Sequence, residues 1–577
     1  VKFIRSFLHP LRHSFRFLTN MTLMVGISFS CIANNSPVNE QGPSISLTQL
    51  QQQLTAITSN VSQDRASQLS SLIYRMDTQQ ILFEHNSAHY FQPASVQKIF
   101  TAVAAQHVLG LKHHFDTQIR LSAPFGSLTP VSNTKLIHSS AEQVANNKQT
   151  TNRVLNEADG VYNGDVLIRF GGDPLLTHQQ LIHLISALSK LGIKQINGEI
   201  VIASNVTPTP QPRGWVWDDL GICYGAPITN GIVIDQNCLK ANLAAKRYNE
   251  TSKITLSPYP IDVQKAYRIN GHSSPLLEFN TTAYFKKNQQ AKTNNNKDDC
   301  RLNLAPVVNG RYNISGCYTN RLSLPLSLAI NNPSQFAYAF VEQTLAKLHI
   351  SHAPININQP IKFDNQSLKA HFPLLIAQHQ SDSTQALVTQ MLQQSNNVIA
   401  ETLLNAIAQQ LAQQLHQTQT VTKSDSDNAG NAGNNNDNPA WVLTQVLSQL
   451  GLDVNDANVT DGSGLSRYNL VNAHQLLAVL RYQASAKVNL LSQLPTAGES
   501  GTLRTKAVYL QDGIKHRLHG KSGSMLGVHN LIGVLNSKAN GTLLFVILEN
   551  NISPKRQDKQ SYVNAILNEL ATLPPLN

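Results

Sequence analysis

Charge is scarce in this chain of 577 residues: Asp, Glu, Lys and Arg together make up only 14%. No cluster of Lys and Arg forms the basic stripe of a nucleic-acid binder. Cysteine is scarcer still, at five residues, and no C-x-x-C or paired-histidine spacing accompanies it, so a zinc site finds no ligand set. Beyond the first 33 residues no apolar run could cross a bilayer, and no internal repeat is evident. Apolar residues are not lacking. They reach 41%, enough for a real core, and exclude wholesale disorder. The length exceeds what one core ordinarily fills, so several domains are expected. The net charge of +11 is mild for this size and would favour only loose contact with an anionic membrane surface.

Acidic residues are absent from the first 33 positions, where Lys2, Arg5, Arg12 and Arg16 precede the mostly apolar Phe17–Ala33. A basic region, a short apolar run and a small-residue end predict a secretory signal peptide over 1–33, cleaved after Ala33. The alternative is a lipoprotein anchored through Cys31, but the usual leucine three residues earlier is missing. Export leads to an oxidising compartment. The remaining cysteines, Cys223, Cys238, Cys300 and Cys317, fall in two close pairs, so two local disulfides are expected. Loops of that size stabilise by roughly 3 kcal/mol each in the chain-entropy model.

Three polar stretches, Asn133–Asn156, Lys286–Asp299 and Gln417–Asn438, read as surface insertions. Helical periodicity marks 47–58, 99–108, 384–414 and 558–573. Ser71–Met76 with Ile81–Asn86, and Val528–Leu535 with Thr542–Glu549, predict two hairpins. The middle is richer in Val, Ile, Thr, Gly and Pro and reads as mostly strand. The expected organisation is an α/β domain split between 45–112 and 366–577, with a large β-rich insertion at 113–365 and a polar insertion at 417–438.

Three short motifs carry chemistry. Ser95 and Lys98, in Pro93-Ala-Ser-Val-Gln-Lys98, are one helical turn apart on one face, so the amine can take the serine proton. Burial or a second cation must first lower the lysine from its ordinary pKa of ~10.4. The pattern recurs at Ser132 and Lys135, in a polar stretch without an apolar face. Ser395-Asn396-Asn397 sits between two helical runs and could relay a proton and hold an amide. Lys521-Ser522-Gly523-Ser524 precedes a strand and offers a point charge beside small residues, where a substrate backbone could lie along a strand edge. It is not a phosphate loop: position 515 is Lys where that motif needs Gly.

In this order the three motifs resemble those of the penicillin-binding transpeptidase and serine β-lactamase superfamily, S-x-x-K, S-x-N and K-[TS]-G. The long separation of positions 95 and 395 is similar to that of the penicillin-binding protein 4 type of D-alanyl-D-alanine carboxypeptidase and endopeptidase. The flanks resemble it too: RFGGDPLL at 169–176, GWVWDD at 214–219, APITNGIVIDQNC at 226–238, DGSGLSRYNL at 461–470 and LPTAGESGTL at 494–503. The resemblance implies a multidomain α/β fold whose antiparallel sheet, flanked by helices, is interrupted by the mostly-β insertion.

It also implies roles. Ser95 is the nucleophile, Lys98 the base, Ser395 the proton shuttle, Asn397 the holder of the substrate amide and Lys521 the supporting charge. The backbone N–H groups of Ser95 and Ser524 form the oxyanion hole, and Ser522 and Gly523 contact substrate. Asp173 and Arg467 match positions that pair with the ammonium and carboxylate of diaminopimelate. The partners implied are peptidoglycan peptides and, as covalent inhibitors, β-lactams, in the periplasm; no cofactor or metal is implied. The third motif has Ser522 in place of Thr, Asn396 stands where relatives often have Asp, and Leu526 where they offer a polar group. Competing readings are a β-lactamase or esterase on the same fold, which needs a fast deacylating base, and a non-catalytic peptidoglycan-binding module, against which the intact motifs speak.

Overall fold

The computed structural model describes residues 44–577 except 64–66, 123–154, 157–159, 205, 207–208, 229, 270–271, 287–299, 308–309, 320–321, 357–364, 420–438 and 553–560. The predicted leader, Cys31, the Ser132/Lys135 pair and most of the three polar stretches lie outside the described residues.

Both predicted hairpins form and join one antiparallel sheet. Its strands are β1 (Gln68–Arg75), β2 (Gln80–His85), β3 (Leu518–Met525), β4 (Val528–Ser537) and β5 (Gly541–Asn550), in the order β2-β1-β5-β4-β3. The first and last parts of the chain meet where β1 pairs with β5. Strand β5 reads GTLLFVILEN, apolar without alternation, because both faces of the sheet are covered. Leu544, Val546 and Leu548 point into one core with Ile532 and Val534. Leu543, Phe545 and Ile547 point into the other, with α1 (Leu47–Gln63) and α7 (Tyr562–Ala571) packed over them.

The first core is largely helical. At its centre is α2 (Lys98–Val108), buried from Lys98 through Ala105. A helix apolar nearly all round must be enclosed. It is surrounded by α3 (Thr384–Gln394), α4 (Asn397–Gln419), α5 (Trp441–Gln449) and α6 (Ala473–Ala484). The two helical runs expected on either side of Ser395-Asn396-Asn397 are α3 and α4, separated at Ser395.

The insertion is less purely β than its composition suggests. A five-stranded mixed sheet is built from 116–121, 166–170, 200–204, 355–356 and 374–380. Helices His178–Lys190 and Pro333–Lys347 share its core. Their apolar faces were hidden among the Val- and Ile-rich strands that they cover. Smaller sheets carry the Cys223–Cys238 and Cys300–Cys317 disulfides, which form as expected. Leu374–Gln380, placed by the 366 boundary in the terminal domain, instead pairs with Asp116–Leu121 of the insertion. Entry and exit are thus adjacent strands, zipped further by Ser381 N to Phe115 O and Thr384 N to His113 O, both 2.9 Å. Adjacent ends let a long insertion emerge without prying the host domain apart.

Candidate active site

The segment that carries Ser95 begins at a strained turn. Ala94 has φ 47°, and Ala94–Gln97 forms one 3-10 turn running into α2. Two buried asparagines fix the approach. Asn530 Nδ2 donates to the carbonyls of Gln92 and Pro93, both at 2.8 Å, and Asn550 Oδ1 accepts from Gln92 N at 2.7 Å. Gly523 on β3 packs against the same turn: a Cβ there would lie 2.7 Å from Pro93 O and 3.1 Å from Val96 N. Only glycine permits the edge strand to come so near the serine.

Lys98 is fully buried. Its Nζ lies 3.0 Å from Ser95 Oγ, 2.6 Å from Asn397 Oδ1 and 2.6 Å from the Ser463 carbonyl oxygen. Burial pulls its pKa down to about 7, against the opposing pull of Asp461 and Glu401. Lys521, also fully buried, donates to Ser395 Oγ at 2.9 Å and to the Ser522 carbonyl at 2.7 Å. Burial and the nearby Lys98 hold it well below the ordinary lysine range. Ser395 itself ends α3 in the left-handed region, φ 57°, ψ 36°. Three distant stretches therefore meet in one hydrogen-bonded cluster, Ser95–Lys98–Asn397 beside Lys521–Ser395.

The remaining expected residues are less uniform. Ser522 Oγ pairs with Thr502 Oγ1 at 2.8 Å, while Ser524 is exposed on β3, an edge strand. Arg467 is half-buried and its guanidinium donates to the Leu526 carbonyl at 2.7 Å, which leaves the Leu526 side chain 66% exposed beside it. The Asp173 carboxylate is enclosed, accepting from Leu175 N at 2.8 Å and lying 3.2 Å from His379 Nε2. It shapes its own turn. No group of His, Cys, Asp and Glu suited to a metal occurs among the described residues.

Several residues that hold this cluster lie outside the three motifs. Glu401 is one turn beyond Asn397 on α4 and accepts from the N–H groups of Gly462 and Ser463, at 3.1 and 2.7 Å. Burial, then Asp461, pushes its pKa up to about 8. Asp461 accepts from Gly464 N and Asn469 Nδ2 at Oδ1, both 2.8 Å, and from Ser466 N at 2.6 Å at Oδ2. Together they shape the loop whose Ser463 carbonyl holds Lys98. The i, i+4 spacing of Asn397 and Glu401 was the available signal; the loop contacts had none.

This constellation, on an antiparallel sheet with a central buried helix, is that of a serine hydrolase of the penicillin-binding class. The family model described as D-Ala-D-Ala carboxypeptidase 3 (S13) matches residues 50–126 and 126–570. The chain belongs to that family, and it is a serine peptidase. Among similar proteins is the D-alanyl-D-alanine carboxypeptidase DacB of Haemophilus influenzae, 27% identical over 497 residues, 84% of this chain and 86% of that one. Penicillin-sensitive carboxypeptidase A of Dictyostelium discoideum is 21% identical over 503 residues, 84% of this chain and 83% of its own. The crystal structure of penicillin binding protein 4 from Haemophilus influenzae superposes with a TM-score of 0.67 at 26% identity, covering 91% of this chain and 98% of that one. The same protein has been solved in complex with a β-lactam, a structure that matches with a TM-score of 0.65.

Proposed function

We propose that the chain is an exported, periplasmic D-Ala-D-Ala carboxypeptidase and DD-endopeptidase that cleaves peptidoglycan stem peptides and cross-links through an acyl-enzyme on Ser95. The observation that carries this reading is the set of contacts around Lys98. Asn397 Oδ1 and the Ser463 carbonyl can only accept, and they take two N–H bonds of the neutral amine. Its lone pair is left for the Ser95 hydroxyl, 3.0 Å away. Burial keeps a useful fraction of that amine neutral near pH 7.

Lys98 takes the Ser95 proton as Oγ bonds to the carbonyl carbon of the terminal D-Ala-D-Ala peptide. The backbone N–H groups of Ser95 and Ser524 stabilise the oxyanion; one such donor is typically worth ~2.7–4 kcal/mol. The C–N bond breaks as Ser395, polarised by Lys521, passes its proton to the departing amine and takes a proton in turn from the Lys98 ammonium, so that Lys98 is neutral again to take a proton from the water of the next step and return it to Ser95 Oγ. Water then attacks the ester, and the acid leaves Ser95. The outer edge of β3 is paired with 495–497 as far as Gly520; beyond it the edge offers backbone partners to an extended peptide, and Arg467 stands at its end for a substrate carboxylate. A β-lactam would acylate the same oxygen and leave slowly. The two disulfides and the basic, then apolar, first 33 residues support export.

Mass spectrometry of the purified protein with penicillin tests the proposal. One covalent equivalent on a peptide containing Ser95, absent from Ser95→Ala, is expected. Labelling that persists in that variant overturns it, and rapid sustained turnover of the drug would assign a β-lactamase instead.

A further inference from the structure

We propose that Gln236, in the insertion, is a positioning residue for Ser395, acting through Asn396. The inference rests on the catalytic reading above and adds a role for the insertion within it.

Ser395 holds a left-handed conformation unusual for a residue with a side chain, and such strain persists only where the surroundings fix it. Within the terminal domain, Asn396 N donates to Met391 O at 3.2 Å and Asn396 Oδ1 accepts from Ile399 N at 3.0 Å. The other half of the Asn396 side chain looks outward: Nδ2 donates to Gln236 Oε1 at 2.6 Å. Asn397 is met from the same side, its Nδ2 donating to the Tyr224 carbonyl at 2.9 Å. That bond also orients the Asn397 amide so that its oxygen faces Lys98.

Gln236 is itself presented by a strained device. Asp235, Gln236 and Asn237 have φ of 49°, 58° and 52° in succession, none of them glycine. Each neighbour of Gln236 is locked. The Asp235 carboxylate accepts from His178 N at 3.1 Å and also binds His178 Nδ1 and the Tyr259 hydroxyl. The buried Asn237 amide donates to the carbonyls of Pro227 and Ile232, at 2.9 and 3.1 Å. Cys238 follows directly and is bonded to Cys223, beside Tyr224. One disulfide therefore ties together both insertion segments that touch the Ser395-Asn396-Asn397 turn. A cavity of about 480 Å³ opens next to this contact, lined on one side by His178, Asp235 and Tyr259 and on the other by Ser395 and Asn397. The insertion thus grips the turn at two points on the rim of that space.

The full chain, its Gln236→Gly variant and its Gln236→Glu variant would be compared by stopped-flow acylation with a fluorescent penicillin. Acylation rate and prior binding constant would be separated, and thermal unfolding followed. Glycine suits the φ at 236, so Gln236→Gly should unfold at the same or a higher temperature. It lacks the acceptor, so its acylation rate should fall ~10-fold or more with prior binding little changed. Gln236→Glu keeps an acceptor oxygen and should restore most of the rate. In an Asn396→Ala background, Gln236→Gly should cost nothing further. Wild-type acylation by Gln236→Gly, or a full additional loss in the Asn396→Ala background, overturns the proposal while leaving the catalytic reading intact. A wild-type chain that is not acylated at Ser95 removes both.

Discussion

Trp215 Nε1 donates to Asp461 Oδ2 across 2.8 Å, joining residues 246 apart in sequence. The contact belongs to a seam. Arg467 N donates to Gly214 O at 2.9 Å, and Ser466 Oγ to Arg213 O at 2.6 Å. Gly214 has φ 81°, and a Cβ there would lie 2.5 Å from Ser466 Oγ. These contacts tie residues 213–215 to the loop whose Ser463 carbonyl accepts from Lys98 Nζ.

Asp461→Asn puts this seam to the test. Whichever oxygen becomes NH2, it faces donors: Trp215 Nε1 and Ser466 N, or Gly464 N and Asn469 Nδ2. Each donor left without an acceptor costs ~1–3 kcal/mol. A lower melting temperature is expected. The lost charge also ceases to raise the Lys98 pKa, so the acid limb of acylation should move to lower pH. A limb that moved upward would show that Asp461 does not act on Lys98 as described.

The pH dependence of the wild-type chain follows from the same amine. Lys98 must be neutral to accept a proton, and its pKa is brought down to about 7. Acylation should rise ~10-fold per unit on the acid side and level off above about 7. Folding is linked in the same direction. The unfolded lysine binds its proton up to the ordinary value, so this group's contribution to stability grows as pH rises from about 7 toward that value. Penicillin acylation measured from pH 5 to 9 checks the first expectation. A rate still climbing at pH 9 would mean that the amine is not depressed.

The reacting groups were legible because their chemistry restricts residue type. Two serines, two lysines and an Asn in fixed local spacing leave few substitutes, and the structure draws Ser95, Lys98, Ser395, Asn397 and Lys521 together. The hairpins and the helices near 47–58, 99–108, 384–414 and 558–573 were legible from their apolar periods, whereas helices Trp441–Gln449 and Ala473–Ala484 were not read from the sequence. What stayed hidden depends on contacts between segments far apart in sequence. Asn530 and Asn550 look like ordinary strand polar residues until they are found holding Gln92 and Pro93. Asp173 was matched to a substrate position by its motif, and the contacts of its carboxylate with Leu175 and His379 had no signal in the sequence. Strand 374–380 was misplaced because its partner, 116–121, lies across the whole insertion.

The two disulfides should separate stability from catalysis. Replacing either pair by serines removes roughly 3 kcal/mol of chain-entropy stabilisation. Cys223–Cys238 brackets Tyr224 and Gln236, which touch Asn397 and Asn396. Cys300–Cys317 staples strand Arg311–Tyr318 to the start of its own small sheet. Both double variants should melt earlier, but only Cys223→Ser with Cys238→Ser should acylate more slowly at a temperature where both are folded. Equal rates in the two would detach the first disulfide from the active site.

Ser395→Gly should leave stability unchanged or slightly raised while disabling the protein. The serine lies at φ 57°, where a side chain costs of the order of 1 kcal/mol and glycine costs nothing. Its hydroxyl, however, is the partner of Lys521 Nζ at 2.9 Å and the proposed path of the proton to the leaving amine. Glycine removes that path and leaves the buried Lys521 with the Ser522 carbonyl alone among the partners described. Losing a buried hydrogen bond opposes the backbone gain, so the melting temperature should change little or rise slightly. Hydrolysis of a D-Ala-D-Ala peptide should fall by ~10²–10⁴, the usual worth of positioned proton transfer. Ser395→Ala supplies the comparison: it loses the same hydroxyl but keeps the strain, so it should melt below the glycine variant while being equally slow. If Ser395→Ala instead melts above Ser395→Gly, the left-handed turn is not where strain is stored. If either variant cleaves peptide at the wild-type rate, the proton leaves by another route.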